Sequence, residues 1–287
     1  MARLDQWHED RELAVEVYAS LCHEETRILP FQAKSPQLNL RRFLVDWLAI
    51  VSENLDIESP ARHLAVYLLD RTMDRFTVSG EAYLQRLALV CLLIATKFEE
   101  KEVKVVKLTN LANQINTDET AKKEFFQMEL LLLDFFDWNV SVPTALHFVD
   151  YFLMDSIGPN DLHGGKPLTN FDALIYLERY AQYFLEISLQ DHTFSTLQPS
   201  LVAAICIAAS RICLQLSPTW TNQLKKLTKY SWEQISPFIE TMLKAHESDE
   251  KAAKRNTTVS KKTHHGYVTS TPASAPTTSI PIQPTAC

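Results

Sequence analysis

The sequence predicts an all-α protein: two tandem five-helix domains, preceded by an N-terminal helix and followed by a disordered C-terminal tail. Three observations carry this expectation. Glycine is scarce, with 5 in 287 residues, where average usage of about 7% would give roughly 20. Apolar residues form 46% of the chain and recur at helical spacing, which provides for a sizeable core. Finally, Ala88–Lys97 (ALVCLLIATK) and Val202–Arg211 (VAAICIAASR) echo one another, each as the third helix of its half. Such an echo is the mark of a duplicated unit.

The elements follow in order. Residues 4–22 place Leu13, Val17 and Leu21 on one helical face, with Ala14 and Tyr18 beside them. Residues 23–36 read as a loop ending in Ser35-Pro36, where serine can cap a helix and proline can take its first position. Leu40, Phe43, Leu44, Trp47, Leu48 and Val51 then recur at helical spacing to about Asn54. Ser59-Pro60 repeats the start signal ahead of Leu64, Tyr67, Leu68 and Phe76. The chain turns around Gly80, and 83–98 is apolar on nearly every side, as in a helix buried within a domain. Helices at about 104–115 and 119–136 complete a first domain at 35–141, after an N-terminal helix and loop at 1–34.

In a second domain at 142–246, Pro143 opens a helix to about Asp155. The stretch 156–168 holds three glycines and two prolines and reads as a loop. Helices follow at about 170–188, 198–216, 219–229 and 232–246, the last behind the capping box Ser231-x-x-Gln234. From 247 to 287 apolar periodicity is lost and Ser, Thr and Pro dominate, so this tail is expected to be disordered.

Composition excludes several functions. Phosphate-cradling loops need clustered glycines, and neither G-x-G-x-x-G nor Walker A can be written with these five. Five of the 28 basic residues and none of the 35 acids lie beyond Glu250, so the first 250 residues carry net −12. That argues against nucleic-acid binding, whose affinity comes from clustered Lys and Arg. The cysteines at 22, 91, 206, 213 and 287 form no C-x-x-C pair and indicate a reducing compartment. MARLDQWHED is too charged for a signal sequence, and the longest apolar run, 87–95, is about half a membrane span. The expectation is a soluble intracellular protein, nuclear or cytoplasmic, without a membrane partner.

No catalytic or metal constellation emerges. The histidines make no H-E-x-x-H and no zinc spacing with cysteine, and no G-x-S-x-G elbow exists. His264-His265 falls in the tail. The carboxylates at Asp70/Asp74 and Asp134/Asp137 have the spacing of ordinary solvated helix faces. Neither a cofactor, a metal nor a catalytic residue is expected.

What stands out is charged side chains within apolar helices: Arg41-Arg42 before FLVDWL, Lys97 at the end of the most apolar helix, and Glu129 within FFQMELLLLDFF. Taken one at a time they read as a cation at a helix C-terminus or a solvated stripe position. As a set, LRRFLVDWL at 40–48, HLAVYLLDR at 63–71, LLIATKFEE ending at 100, MELLLLDFFDWN at 128–139 and PTALHF at 143–148 resemble the first cyclin box. PSLVAAICIAASRI at 199–212 continues the resemblance into a C-terminal box, so that it covers roughly 25–246. Within the cyclins, SPARHLAVYLLD at 59–70 and YFLEISLQDHTF at 183–194 are similar to the J type.

The resemblance implies two cyclin boxes and a non-catalytic regulatory subunit that binds and activates a cyclin-dependent kinase in cell-cycle control. It implies that Lys97 and Glu129, with Phe98, contact the kinase, and that Arg41 and Asp70 form a structural salt bridge. It also implies a substrate-docking patch at Leu40, Phe43, Leu44, Trp47 and Gln85, able to take substrate or inhibitor peptides. Ile50 stands where many cyclins carry a glutamate and Arg86 where a leucine is usual, so recognition of Arg-x-Leu motifs is expected to be altered. A second reading keeps the fold as a transcription-factor-like or retinoblastoma-like scaffold without kinase activation. The R-x-x-L strings at Arg41, Arg86 and Arg211 lie inside predicted helices, which hides them from a ligase. Thr271-Pro272 matches a proline-directed phosphosite, and Lys251–Lys262 reads as a bipartite nuclear signal or a solvated charge run.

Overall fold

The computed structural model describes residues 10–77, 80–115, 120–168 and 172–262. The chain divides into a body ending at His246 and a separate segment from Glu247. Within the body, helix α1 (Arg11–Glu25) precedes α2 (Leu38–Asn54), α3 (Ser59–Arg75), α4 (Glu81–Glu99), the short α5 (Leu108–Ala112) and α6 (Thr120–Phe135). The second half holds α7 (Ala145–Leu153), α8 (Asp172–Gln190), α9 (His192–Ser195), α10 (Pro199–Cys213), α11 (Asn222–Thr228) and α12 (Trp232–Lys262). This is the all-α, two-part architecture that the sequence predicts, with the four-residue α9 added to the five helices expected in the second half.

Two cores form, one per half, and each is built around the helix that carries the echo. In α4 the side chains from Leu87 to Thr96 are all buried, and in α10 so are those from Val202 to Arg211. Small residues such as Ala88, Ala95, Ala203 and Ala208, all 0% exposed, let neighbouring helices approach while Leu and Ile fill the gaps. Helix α1 joins the second core. Tyr18 stacks on Tyr151 with centroids 4.2 Å apart. The Glu25 carboxylate accepts hydrogen bonds from the Ser200 backbone N–H (2.6 Å) and hydroxyl (2.8 Å), capping the start of α10. Ala14 and Tyr18 face inward and Leu13 is exposed, because the small Ala14 allows the close approach that places Tyr18 on its stack.

The structure departs from the sequence reading in four places. Helix α2 begins at Leu38, and Ser35 caps the preceding turn, its Oγ accepting from the Gln37 N–H at 3.2 Å. The helix expected over 104–115 is a 3-10 turn at Glu102–Lys104 followed by the five-residue α5; Val105 and Val106 lose side-chain freedom in a helix. The loop at 156–168 contains a hairpin of β1 (Leu162–His163) and β2 (Lys166–Pro167), joined antiparallel to β3 (Leu216–Ser217) in the order β2-β1-β3. Gly164 and Gly165 make its turn at φ of 54° and 80°, backbone that L side chains rarely adopt. Last, α12 does not stop at 246 but runs to Lys262. Taken by itself, the segment from Glu247 lacks proline and glycine up to Gly266 and carries a Lys251–Glu247 pair at i, i+4 (3.3 Å). The remainder of the predicted tail, with His264, His265 and Thr271, lies outside the described residues.

Charged side chains join the two halves of the body. Arg41 meets Asp70 in a bidentate pair at 2.6 and 2.9 Å, with the two side chains 2% and 1% exposed. Its remaining donors reach the Gln190 carbonyl (3.2 Å) and the Ser195 hydroxyl (2.9 Å). Arg71 lies over the Tyr67 ring at 4.2 Å and donates to the carbonyls of Leu29 and Ser195. Arg62 donates to Glu186 at 2.6 Å, and Ser59 donates to the same carboxylate oxygen. The bridge expected inside one domain therefore also holds both.

His147 sits in a capping box at this seam: its Nδ1 accepts from the Thr144 N–H at 3.1 Å, so the ring there is neutral. Burial, with His63 nearby, pushes its pKa down to about 4. The unfolded chain, near 6.5, then binds the extra proton between these values, so stability is full above pH 6.5 and falls toward pH 4. The loss reaches about 3 kcal/mol. Glu186 loses its contribution only at lower pH. Burial raises its pKa, but His63 and Arg62 outweigh that and hold it at about 2. Thermal melts between pH 5 and 8 should therefore show a slope that flattens in His147→Gln, which keeps the capping acceptor without the titration. An unchanged slope would place the titrating group elsewhere.

Candidate partner-binding site

Helix α4 stays in the core through Thr96 and leaves it at Lys97, whose cation lies in the last turn, at the negative end of the helix. Helix α6 packs through Phe125, Met128 and Leu132, with Phe136 just past its end, and this stripe carries Glu129 in at its edge. The two meet: Lys97 Nζ lies 2.5 Å from Glu129 Oε1, with the lysine side chain 49% exposed and the glutamate 11%. An ammonium has three donors, and this contact with Glu129 engages one. The pair therefore presents an oriented cation at the surface, held by a carboxylate too buried to leave it. Such a group can cap a partner's carbonyls, which cost about 1–3 kcal/mol each if buried unmet.

The segments that carry this pair leave apolar side chains in water. Phe98, expected to add apolar area, is exposed, and so are Leu130 and Val103. Trp138, 64% exposed, is a residue that sequence reasoning passed over. Asp137 and Trp138 both take positive φ, 49° and 59°, a strained pair that ends α6 and leaves the indole outside. Strain of this kind persists where the surroundings enforce it, and an exposed tryptophan is a preferred anchor for partners. The only sequence signal was an aromatic run continuing past the end of the helix. The loop after Glu100 is tied down by Lys104–Glu58 (2.7 Å) and by the Glu58 N–H donating to Glu100 (2.7 Å).

The expected docking patch is only partly a surface. Phe43 is 50% exposed, and Leu40, Trp47 and Gln85 are half-buried, but Leu44 is 1% exposed and belongs to the core. Leu44 is a correction. Residues one apart on a helix differ by about 100°, so Phe43 faces out where Leu44 faces in. Ile50 is exposed, Asp46 is engaged by Arg42 at 3.0 Å, and Arg86 pairs with Glu124 on α6. The R-x-x-L strings at Arg41 and Arg86 lie within α2 and α4, while the third starts at Arg211 in α10 and ends at Leu214, one residue past that helix; Arg41 and Arg211 are buried.

Among the described residues no group of three His, Cys, Asp or Glu side chains is placed to hold a metal ion. No described helix is long and apolar enough to cross a membrane. Cys91 and Cys206 are fully buried, and burial pushes both thiols up, away from the reactive thiolate.

The chain is similar to known proteins over most of its length. The family described as "Cyclin, N-terminal domain" matches residues 16–141, and "Cyclin, C-terminal domain" matches 143–274. The chain is 46% identical over 251 residues to Cyclin-J of Xenopus laevis, covering 85% of this chain and 65% of that one. It is 43% identical over 256 residues to Cyclin-J of Homo sapiens, covering 87% and 65%. To Cyclin-J-like protein of Mus musculus it is 43% identical over 250 residues, covering 85% and 64%. The chain thus spans just under two thirds of the length of these relatives. The X-ray structure of a viral cyclin from herpesvirus saimiri shares the fold with a TM-score of 0.62 at 19% identity, covering 80% of this chain and 97% of that one.

Proposed function

The chain belongs to the cyclin family, whose members are non-catalytic regulators of cyclin-dependent kinases in the cell cycle, and we propose that it binds and activates one such serine/threonine kinase as the regulatory subunit of a heterodimer. The observation that carries this reading is the Lys97–Glu129 pair, half in water and bordered by exposed Phe98. Its role is conformational. The kinase's mobile helix must bring its glutamate to the lysine that holds the nucleotide phosphates before transfer proceeds. A partner that prefers that arrangement shifts the population toward it. Nothing in this needs a phosphate-binding loop in the regulator, which is consistent with the scarcity of glycine. The two cyclin boxes, at 35–141 and 142–246, divide the work: the first carries the contact surface, and the second, with α1, braces it. Phe43, Leu40, Trp47 and Gln85 form the patch for docking peptides. With Ile50 in place of an acid, a peptide's arginine finds no carboxylate at that position. The site of action is the nucleus or the cytoplasm.

Affinity purification of the full chain, followed by mass spectrometry and a histone-kinase assay, tests the proposal. A cyclin-dependent kinase should co-purify with activity. Lys97→Ala combined with Glu129→Ala should cut its capture at least tenfold, since two charged contacts contribute roughly 1.5–3 kcal/mol each. Removing both leaves neither ion orphaned, so the fold, followed by circular dichroism, should persist. Unchanged capture would reject these residues as the contact. Absence of any kinase would favour the scaffold reading.

A further inference from the structure

The end of α3, the start of α4 and one face of α6 enclose an open groove of about 600 Å3 in the first domain, a size usual for ligand sites. Met128 and Leu132 form its floor, and Phe76, Tyr83 and Leu131 its walls. These walls are left 47%, 44% and 66% exposed, an unusual outlay of large apolar side chains on one patch. At 100° per residue, Leu131 lies roughly 200° around α6 from Glu129. An occupant of the groove therefore does not compete for the Lys97–Glu129 surface.

Two further observations specify the occupant. The first concerns charge. Asp134 lines the groove in the last turn of α6, a turn without a basic residue. A carboxylate there opposes the negative end of the helix dipole, and Asp137 adds a second. Neither has an ion pair among the described residues, on a chain whose first 250 residues carry net −12. Thr72 is committed to the Leu68 carbonyl at 2.8 Å, which leaves Asp134 as the charged contact. A second copy of this chain would set acid against acid; a cationic partner relieves it. The second concerns backbone. Helices line the groove and, among the described residues, no strand edge borders it, so an extended peptide would find no ladder to join. A helix satisfies its own backbone and needs only side-chain contacts.

We propose that this groove docks a short amphipathic helix of a partner protein, with two large apolar residues one turn apart and a lysine or arginine beside them. Docking is independent of the Lys97–Glu129 surface, so the inference stands or falls separately from the kinase reading.

The test uses the full chain and two fluorescein-labelled 16-residue probes on an alanine-rich helical host. Both carry leucines at i and i+4; one has flanking lysines, the other glutamates. By anisotropy, the lysine peptide should bind saturably and the glutamate peptide at least tenfold more weakly. Leu131→Glu should weaken the lysine peptide at least tenfold, and Asp134→Lys should reverse the preference between the two. Both positions are exposed, so the fold should survive, as circular dichroism will show. Lys97→Ala with Glu129→Ala should leave peptide binding unchanged. Failure to bind, or affinity indifferent to Leu131→Glu, would overturn the proposal. So would a concentration-dependent dimer, seen by sedimentation and abolished by Leu131→Glu, which would assign the groove to a second copy.

Discussion

Arg41→Ala is expected to lower stability by roughly 3–5 kcal/mol, the range for removing one partner of a buried ion pair. Asp70, 1% exposed, would lose both bonds of its bidentate partner and stay buried. The loss is not confined to the first domain, because the same guanidinium donates to the Gln190 carbonyl and the Ser195 hydroxyl in the second. Urea unfolding should show the drop in midpoint. Hydrogen exchange should show faster opening in two places at once, α3 around Asp70 and the segment 190–195. Salt should change the wild-type value little, since a buried pair is screened weakly. Arg41→Met combined with Asp70→Leu should recover much of the loss, because apolar replacement of both ions removes the desolvation penalty along with the attraction. If Arg41→Ala alone costs less than about 1 kcal/mol, as exposed pairs do, the inter-domain role of Arg41 is wrong.

The pair itself was implied by the resemblance of LRRFLVDWL and HLAVYLLDR to the first cyclin box; its reach was not. Periodicity reports neighbours one turn apart, whereas Gln190 lies 149 positions away from Arg41. The same limit explains the hairpin. Strands of two residues have no period to read, and only Gly164-Gly165 marked a turn. Long features fared better: α4 was visible from its unbroken apolar stretch, and α3 from Ser59-Pro60. Lys97 and Glu129 could be singled out because a charge inside an apolar helix is costly and calls for a reason. The structure supplies one by joining them. Leu44 shows the opposite case: helical spacing marks a stripe as apolar without saying which edge of it meets the core. Trp138 was hidden for another reason, since its exposure follows from two left-handed residues ending α6, a conformation no local propensity announces.

The sequence echo itself leads to the second large effect. Lys97 and Arg211 occupy the same place in the two related helices, each a cation at the end of a buried run, yet their surroundings differ. Lys97 is half in water with one carboxylate. Arg211 is 0% exposed and fully engaged: it pairs with Asp161 at 2.8 Å and donates to the carbonyls of Thr219 (3.0 Å), Pro218 (2.7 Å) and Ser156. Asp161 in turn accepts from the Gly158 N–H at 2.9 Å. One guanidinium thus anchors the loop at 156–161 before β1 and the turn after β3. Arg211→Ala should therefore cost 3–5 kcal/mol or more by denaturant unfolding, because it orphans a buried carboxylate and three carbonyls together. Arg211→Lys should recover only part of this, since a point charge cannot reproduce the planar fork. Lys97→Ala combined with Glu129→Ala, which orphans neither ion, should when measured alongside stay within about 1 kcal/mol while still reducing kinase capture. Equal destabilisation by Arg211→Ala and this double variant would mean that the Lys97–Glu129 pair is structural too, and the exposure of Lys97 would then need another explanation. The expected contrast separates two uses of one duplicated position, with the cation in the second half turned inward to hold the fold and the cation in the first half left at the surface for a partner.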